Sequence, residues 1–242
     1  MQLIQLIIDG VASGCIYGLV ALGFVLIYKA TETINFAQGD ILMLGAFVAF
    51  SLIGVLGMNY VVGFILTVMI IAVFGFFLDA VVVRQIIGQP AFATVMLTIG
   101  LGFIFRGFAS IYWGTDIFSF STPFSGKITE VGGLIISYVN ISIIVGTTLL
   151  MGILFAFFSF TKIGVAMRAS SENQLAAYYM GIPVKFIFSL IWSISAGVAA
   201  IAGVLLAPIT LVDTSISLIG LKAFAAAVLG GFGSIPGAIV GG

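Results

Sequence analysis

Eight lysines and arginines and eight aspartates and glutamates are almost all that this 242-residue chain has for chemistry. It has no histidine and a single cysteine, Cys15. A histidine-based metal centre or acid–base site is therefore excluded. Cys15 lacks an intrachain disulfide partner, and small neighbours in an apolar run give it a packing role. The carboxylates are scattered, so no catalytic residue and no metal ligand is assigned. The charges stand at the ends of apolar runs, with one exception. Arg106 lies within a run, toward its end. A membrane arginine marks a functional site or a partner, or it snorkels from the last turn to the interface. Snorkelling is the expectation here, and pairing with Asp79, near the opposite end of its own run, is not expected.

The longest polar stretch is 161–185. It contains one short helix, expected over 172–180. Ser171 is the expected N-cap, Gln174 completes a capping box, and Glu172 in the first turn suits the helix dipole. Gly181 and Ile182 form a left-handed C-cap, and Pro183 forbids continuation. Asn173, Ala176, Ala177 and Met180 fall on one small, flat face. Such a helix between two spans is either a docking element or an ordinary interfacial loop helix, and the residues alone leave both open.

The second unusual stretch is 229–242, with glycine at 230, 231, 233, 237, 241 and 242 and a proline at 236. One smooth helix is not expected, since glycine costs roughly 1 kcal/mol and proline about 3 in a helix interior. Non-helical backbone at membrane depth is tolerated only inside protein or against a water-filled cavity. A broken helix lining a pathway is favoured over a packing hinge. No Gly-Lys-Ser/Thr follows these glycines, so this is not a phosphate loop.

The elements that carry these stretches follow from composition. The chain is 62% hydrophobic and 7% charged, where soluble domains carry roughly a quarter charged residues. It reads as an all-α polytopic membrane protein with no nucleic-acid signal in its zero net charge. The expected spans are 10–28, a hairpin of 41–56 and 60–80 broken at Gly54, Gly57, Met58 and Asn59, then 91–112, 135–160, 186–207 and 223–242. That makes about seven membrane segments, some broken or re-entrant. The first is too long for a signal peptide's apolar core and is read as retained. Its Gly10, Ser13, Gly14 and Gly18 give one face for close packing. Residues 30–40 read as a tight polar turn at the membrane surface, with Asn35, Gln38 and Asp40 satisfying backbone groups or capping the next helix. Residues 113–134 read as a mixed loop next to an interfacial Tyr112 and Trp113. Alternating spans put Lys29, Arg84, Lys162, Arg168 and Lys185 on one side and Lys127 and Lys222 on the other. The 161–185 loop is then cytoplasmic and the N-terminus outside.

Three stretches carry a resemblance over the whole chain, in order. Ile34-Asn-Phe-Ala-Gln-Gly-Asp40 is one. Arg168-Ala169 with Asn173, Ala176, Ala177, Gly181 and Ile182 is the second, and Gly220 to Gly242, with its closing glycines, is the third. They resemble the integral-membrane permeases of bacterial ABC importers for branched-chain amino acids. The resemblance implies a single transmembrane permease domain over 1–242, in a multi-pass protein of the bacterial inner membrane. Eight segments are implied in a complete protein, because such permeases continue beyond the glycine signature. The implied partners are a second homologous permease, two cytoplasmic ATPases and a periplasmic or lipid-anchored substrate-binding protein. ATP and Mg would bind those ATPases, and this chain would hold no cofactor. Arg168, Glu172, Asn173, Ala176, Ala177, Met180 and Gly181 would couple to an ATPase. Asn35, Gln38, Gly230, Gly231, Gly233, Ser234, Pro236 and Gly237 would line the translocation path. Only one arginine precedes the fourth span, where relatives often have more basic residues. Permeases for urea, short amides or monosaccharides are the alternatives within the class. A passive channel or ion-coupled carrier is the alternative outside it, disfavoured because the charges lie at span ends.

Overall fold

A computed structural model describes residues 2–86, 89–120, 122–131 and 134–242. The helices are α1 (Gln2–Thr31), α2 (Gln38–Ala49), α3 (Tyr60–Val81), α4 (Ala91–Tyr112), α5 (Tyr138–Phe160), α6 (Lys162–Glu172), α7 (Gln174–Tyr179), α8 (Val184–Leu206), α9 (Ile219–Gly230) and α10 (Ile235–Gly241). The π-helical turn Phe50–Val55 extends α2. Six of the described helices are long and apolar enough to cross a bilayer: α1, α2 with its extension, α3, α4, α5 and α8. The all-α polytopic expectation holds.

α8 is the central helix, packed against α1, α2 and α3. Trp192, Ala199 and Ala200 on α8 are fully buried, as are Phe24 on α1 and Phe47 on α2. α3, α4 and α5 turn large apolar side chains outward, among them Met69, Phe77, Ile104, Ile111, Leu149 and Phe155. The small face of α1 packs closely: Gly14 lies against Gly242 and Gly18 against Ile239.

The start of α2 departs from the expected surface turn. After α1, Glu32 adopts φ 54° and the chain turns back into the bundle. Gln38 meets Ser195, the middle residue of α8, and Asp40 lies against Gly102, midway along α4. Asn35, Gln38 and Asp40 are 1%, 0% and 2% exposed. The stretch is polar because its buried side chains find partners inside the protein, Asn35 on Gln38, Gln38 on Ser195 and Asp40 on Arg106.

α9 also begins at mid-depth. The Cα atoms of Gly39 and Gly220 meet there with no side chain between them. Twelve residues of α9 rise about 18 Å, short of the ~30 Å hydrocarbon core. Gly231, at φ 83°, turns the chain, and α10 returns along α9 and α1. The last segment is thus broken, as expected, but it is a helical hairpin entered at mid-depth and not a crossing. Lys222 lies in the first turn of α9, at the depth of Gly39, and not in a surface loop as counted from the sequence.

The start of the fifth span changes. Residues Leu134–Ser137 form a strand, antiparallel to Ile128–Val131, where the fifth span was expected to begin. The apolar run reads through, but Ser137 caps the backbone N–H of Val139 and starts the helix there. A cavity of about 220 Å³ is lined by Thr31, Glu32, Thr33, Asp79, Gln89 and Gln174. It brings the three loops that were expected to share a side to one end of the bundle.

Candidate functional site

Two places gather polar groups that an inert bundle has no need of. The first is the mid-depth junction. Asn35 Nδ2 donates to Gln38 Oε1 at 3.2 Å, and Gln38 Nε2 donates to the Ser195 carbonyl at 3.2 Å. Ser195 Oγ donates to the Gly23 carbonyl at 2.9 Å. These bonds tie α1, α2 and α8 together at mid-depth. Asn35 and Gln38 therefore face the packed interior, and of residues 35–40 it is Phe36 and Asp40 that reach a cavity.

That cavity, of about 300 Å³, opens between the starts of α2 and α9 and the middle of α4. Its charged wall is an ion pair. Arg106 Nε donates to Asp40 Oδ1 at 2.6 Å, and Nη2 lies 3.4 Å from Oδ2. Gly102 leaves the room that the carboxylate occupies. The expected snorkelling of Arg106 does not occur, because a buried carboxylate at mid-depth is a nearer partner than the interface. The guanidinium also lies 5.5 Å from the centre of the Phe103 ring. Sequence reading noticed both Asp40 and Arg106 but not their pairing. The signal was a lone arginine within an apolar run and an aspartate at the end of the polar stretch before the next one.

The glycine-rich residues form one turn, roughly 15 Å along α9 from the junction. Gly230 and Gly237 bring their backbones into contact, and Ser234 Oγ accepts from the Gly237 N–H at 3.0 Å. Gly231, Gly233, Ser234 and Pro236 complete the turn between α9 and α10.

The second place is the arm of α6 and α7. Its N-cap differs from expectation. Ser171 lies inside α6 and donates to the Met167 carbonyl, and Asn173 caps α7 by accepting from Ala176 N–H at 2.9 Å. Thr161 caps α6. Asn173 is extended, which ends one helix and starts the next, so Glu172 closes α6 and is not in the first turn of α7. The C-cap is as expected: Gly181 has φ 81°, and Ile182 N–H donates to the Ala177 carbonyl at 3.0 Å. The small face does not stand open as a unit. Ala177 is 4% exposed and packs inward, whereas Leu175, Tyr178, Tyr179 and Met180 project outward. Arg168, Glu172, Asn173 and Ala176 are exposed. Behind the arm, Asp79 on α3 accepts from Ser189 on α8 at 2.7 Å and from Arg84 at 3.3 Å, and Arg84 also donates to the Lys185 carbonyl.

Comparison with known proteins decides the family. The family described as branched-chain amino acid transport system / permease component matches residues 6–242. This chain belongs to it. The permease protein BraD of the high-affinity branched-chain amino acid transport system of Pseudomonas aeruginosa is 32% identical, over 99% of this chain and 82% of its own. The permease LivH of Escherichia coli K12 is 30% identical over 100% and 83%. A probable LivH of Methanocaldococcus jannaschii is 30% identical over 93% and 73%. No solved structure matches the chain at a significant level. The chain is a transport permease and a multi-pass inner-membrane protein. Among its described residues no group of three or more His, Cys, Asp or Glu side chains is placed to hold a metal ion.

Proposed function

We propose that this permease is one of two transmembrane subunits of an ATP-driven importer for branched-chain or related amino acids. The observation that carries the reading is α7. It is a short helix capped at both ends, set between α5 and α8, with Leu175, Tyr178, Tyr179 and Met180 exposed together. Exposed tyrosines beside apolar side chains are the composition of a binding hot spot, not of a solvated loop. The occupant is a groove on a cytoplasmic ATPase, which binds the ATP and Mg. With Lys222 moved into α9, the basic residues outside the membrane stand five against one in favour of a cytoplasmic arm. The far end, with its strand pair, then meets a substrate-binding protein outside. ATP-driven closure of the two ATPases tilts the helices as rigid bodies and switches access across the bilayer. Arg84, Asp79 and Ser189 link the root of the arm to α3 and α8.

The test is reconstitution in vesicles with the ATPases and binding protein encoded beside it. Leucine uptake that needs ATP and all the partners is the expected result. Uptake of leucine without ATP would replace this reading with a passive or ion-coupled carrier. Uptake of urea or a monosaccharide in preference to leucine would keep the importer and change its substrate.

A further inference from the structure

The Asp40–Arg106 pair leaves hydrogen-bonding capacity unused. A guanidinium has five N–H donors and a carboxylate roughly four lone-pair sites. The pair engages Nε on Oδ1 and Nη2 on Oδ2. Asp40 is 2% exposed and Arg106 is 38% exposed, and both line the cavity of about 300 Å³. The remaining walls are apolar, chiefly Phe24, Phe36, Ile99, Phe103, Leu218 and Leu221.

We propose that this cavity binds one free α-amino acid with an aliphatic side chain during its passage. The α-carboxylate is held by Arg106, the α-ammonium by Asp40, and the side chain by Phe103, Leu218 and Leu221. The inference rests on the amino-acid reading above and adds the residues that recognise the substrate. A fixed cation beside a fixed anion has no net charge, so the solute it suits also carries one of each. Four alternating charges then each have two opposite neighbours, and none is left unpaired at membrane depth. A lysine or glutamate would add one charge without a partner. The cavity lies at mid-depth, where a tilt of the helices exposes it to either side. Its mouth is not a lipid surface: Lys222, exposed and adjacent to Leu221, stands at the same depth, and a lipid-facing ammonium there is costly.

The experiment measures tritiated leucine bound by the purified permease–ATPase complex, without the external binding protein. Unlabelled leucine should compete. Leucinamide, lacking the carboxylate, and 4-methylpentanoate, lacking the ammonium, should compete at least about a hundredfold less well, since each strands one charge. These analogues leave the protein unchanged, so folding does not enter. Leu221→Trp fills the cavity from an exposed position and should weaken leucine binding about tenfold or more, with ATPase co-purification reporting assembly. Competition by both analogues equal to that by leucine, or unaltered leucine binding in assembled L221W, would overturn the site while leaving the importer reading intact. If the reconstituted importer transports no amino acid at all, the substrate reading fails first and this proposal with it.

Discussion

Arg106 of α4 donates to Asp40 of α2 at 2.6 Å, across 66 residues of sequence, at the depth where α2 begins. The bond joins a helix that crosses the membrane to one that starts inside it. It also places the carboxylate in the first turn of α2, where the helix dipole favours an anion.

Removing one partner strands the other. Arg106→Leu should destabilise the fold by about 3–5 kcal/mol, the usual cost of leaving a buried charge alone. Asp40→Asn combined with Arg106→Gln should recover much of that loss. Thermal unfolding in detergent, followed by the monodisperse fraction, is the measurement. A loss in the double variant equal to the sum of the losses in Asp40→Asn and Arg106→Gln alone would mean that the two side chains are not energetically coupled.

The α9–α10 turn makes a sharper distinction. A side chain on Gly237 meets the Gly230 carbonyl, whereas a Cβ on Gly233 meets nothing within 4 Å. Gly237→Val should cost about 1–3 kcal/mol or more through overpacking, and Gly233→Ala should stay within about 0.5 kcal/mol. Uptake and melting temperature should fall together in the first and neither in the second. Full activity in G237V would show that the hairpin is not closely packed when the importer works.

On α7 the two faces should respond differently. Tyr178→Ala and Tyr179→Ala should each weaken ATPase co-purification by about tenfold or more, as loss of an aromatic anchor does. Ala177→Trp should instead disturb the chain's own packing and lower its stability before any partner is added. Retained ATPase binding in both tyrosine variants would assign docking to another surface.

Orientation is checked by labelling a cysteine at an exposed position of the arm. Glu172→Cys, on the exposed face of the arm, serves for this in a Cys15→Ser background. An impermeant maleimide should miss it in intact cells and modify it in inverted vesicles. Labelling in intact cells would reverse the topology.

Hydrophobic runs bounded by charges made the long helices legible. α3 and α4 stand within one residue of their expected ends. Caps were legible where one residue type decides them, as Gly181 does. They were missed where two polar residues compete. Ser171 and Asn173 both suit an N-cap, and only the break between α6 and α7 selects Asn173. Depth was not legible at all. The stretch 30–40 has the composition of a surface turn, and nothing local shows that Ser195 and Gly23 will satisfy it inside the bundle. The outward face of α7 also depended on tertiary packing, since Ala177 and Tyr178 are consecutive and only docking on the bundle tells which is covered.

The Gly39–Gly220 contact has a mechanical side. With no side chain between them, the two helix starts share a bare pivot in the middle of the membrane, while the central α8 is filled by side chains such as Trp192. Among the described residues, the centre of the bundle around α8 is filled by buried side chains and offers a solute no bore. On the proposed reading its route runs along the flank of Arg106 and Lys222, and the second permease subunit supplies the facing wall. One subunit is then half of a doorway, and the traffic it directs never crosses its own core.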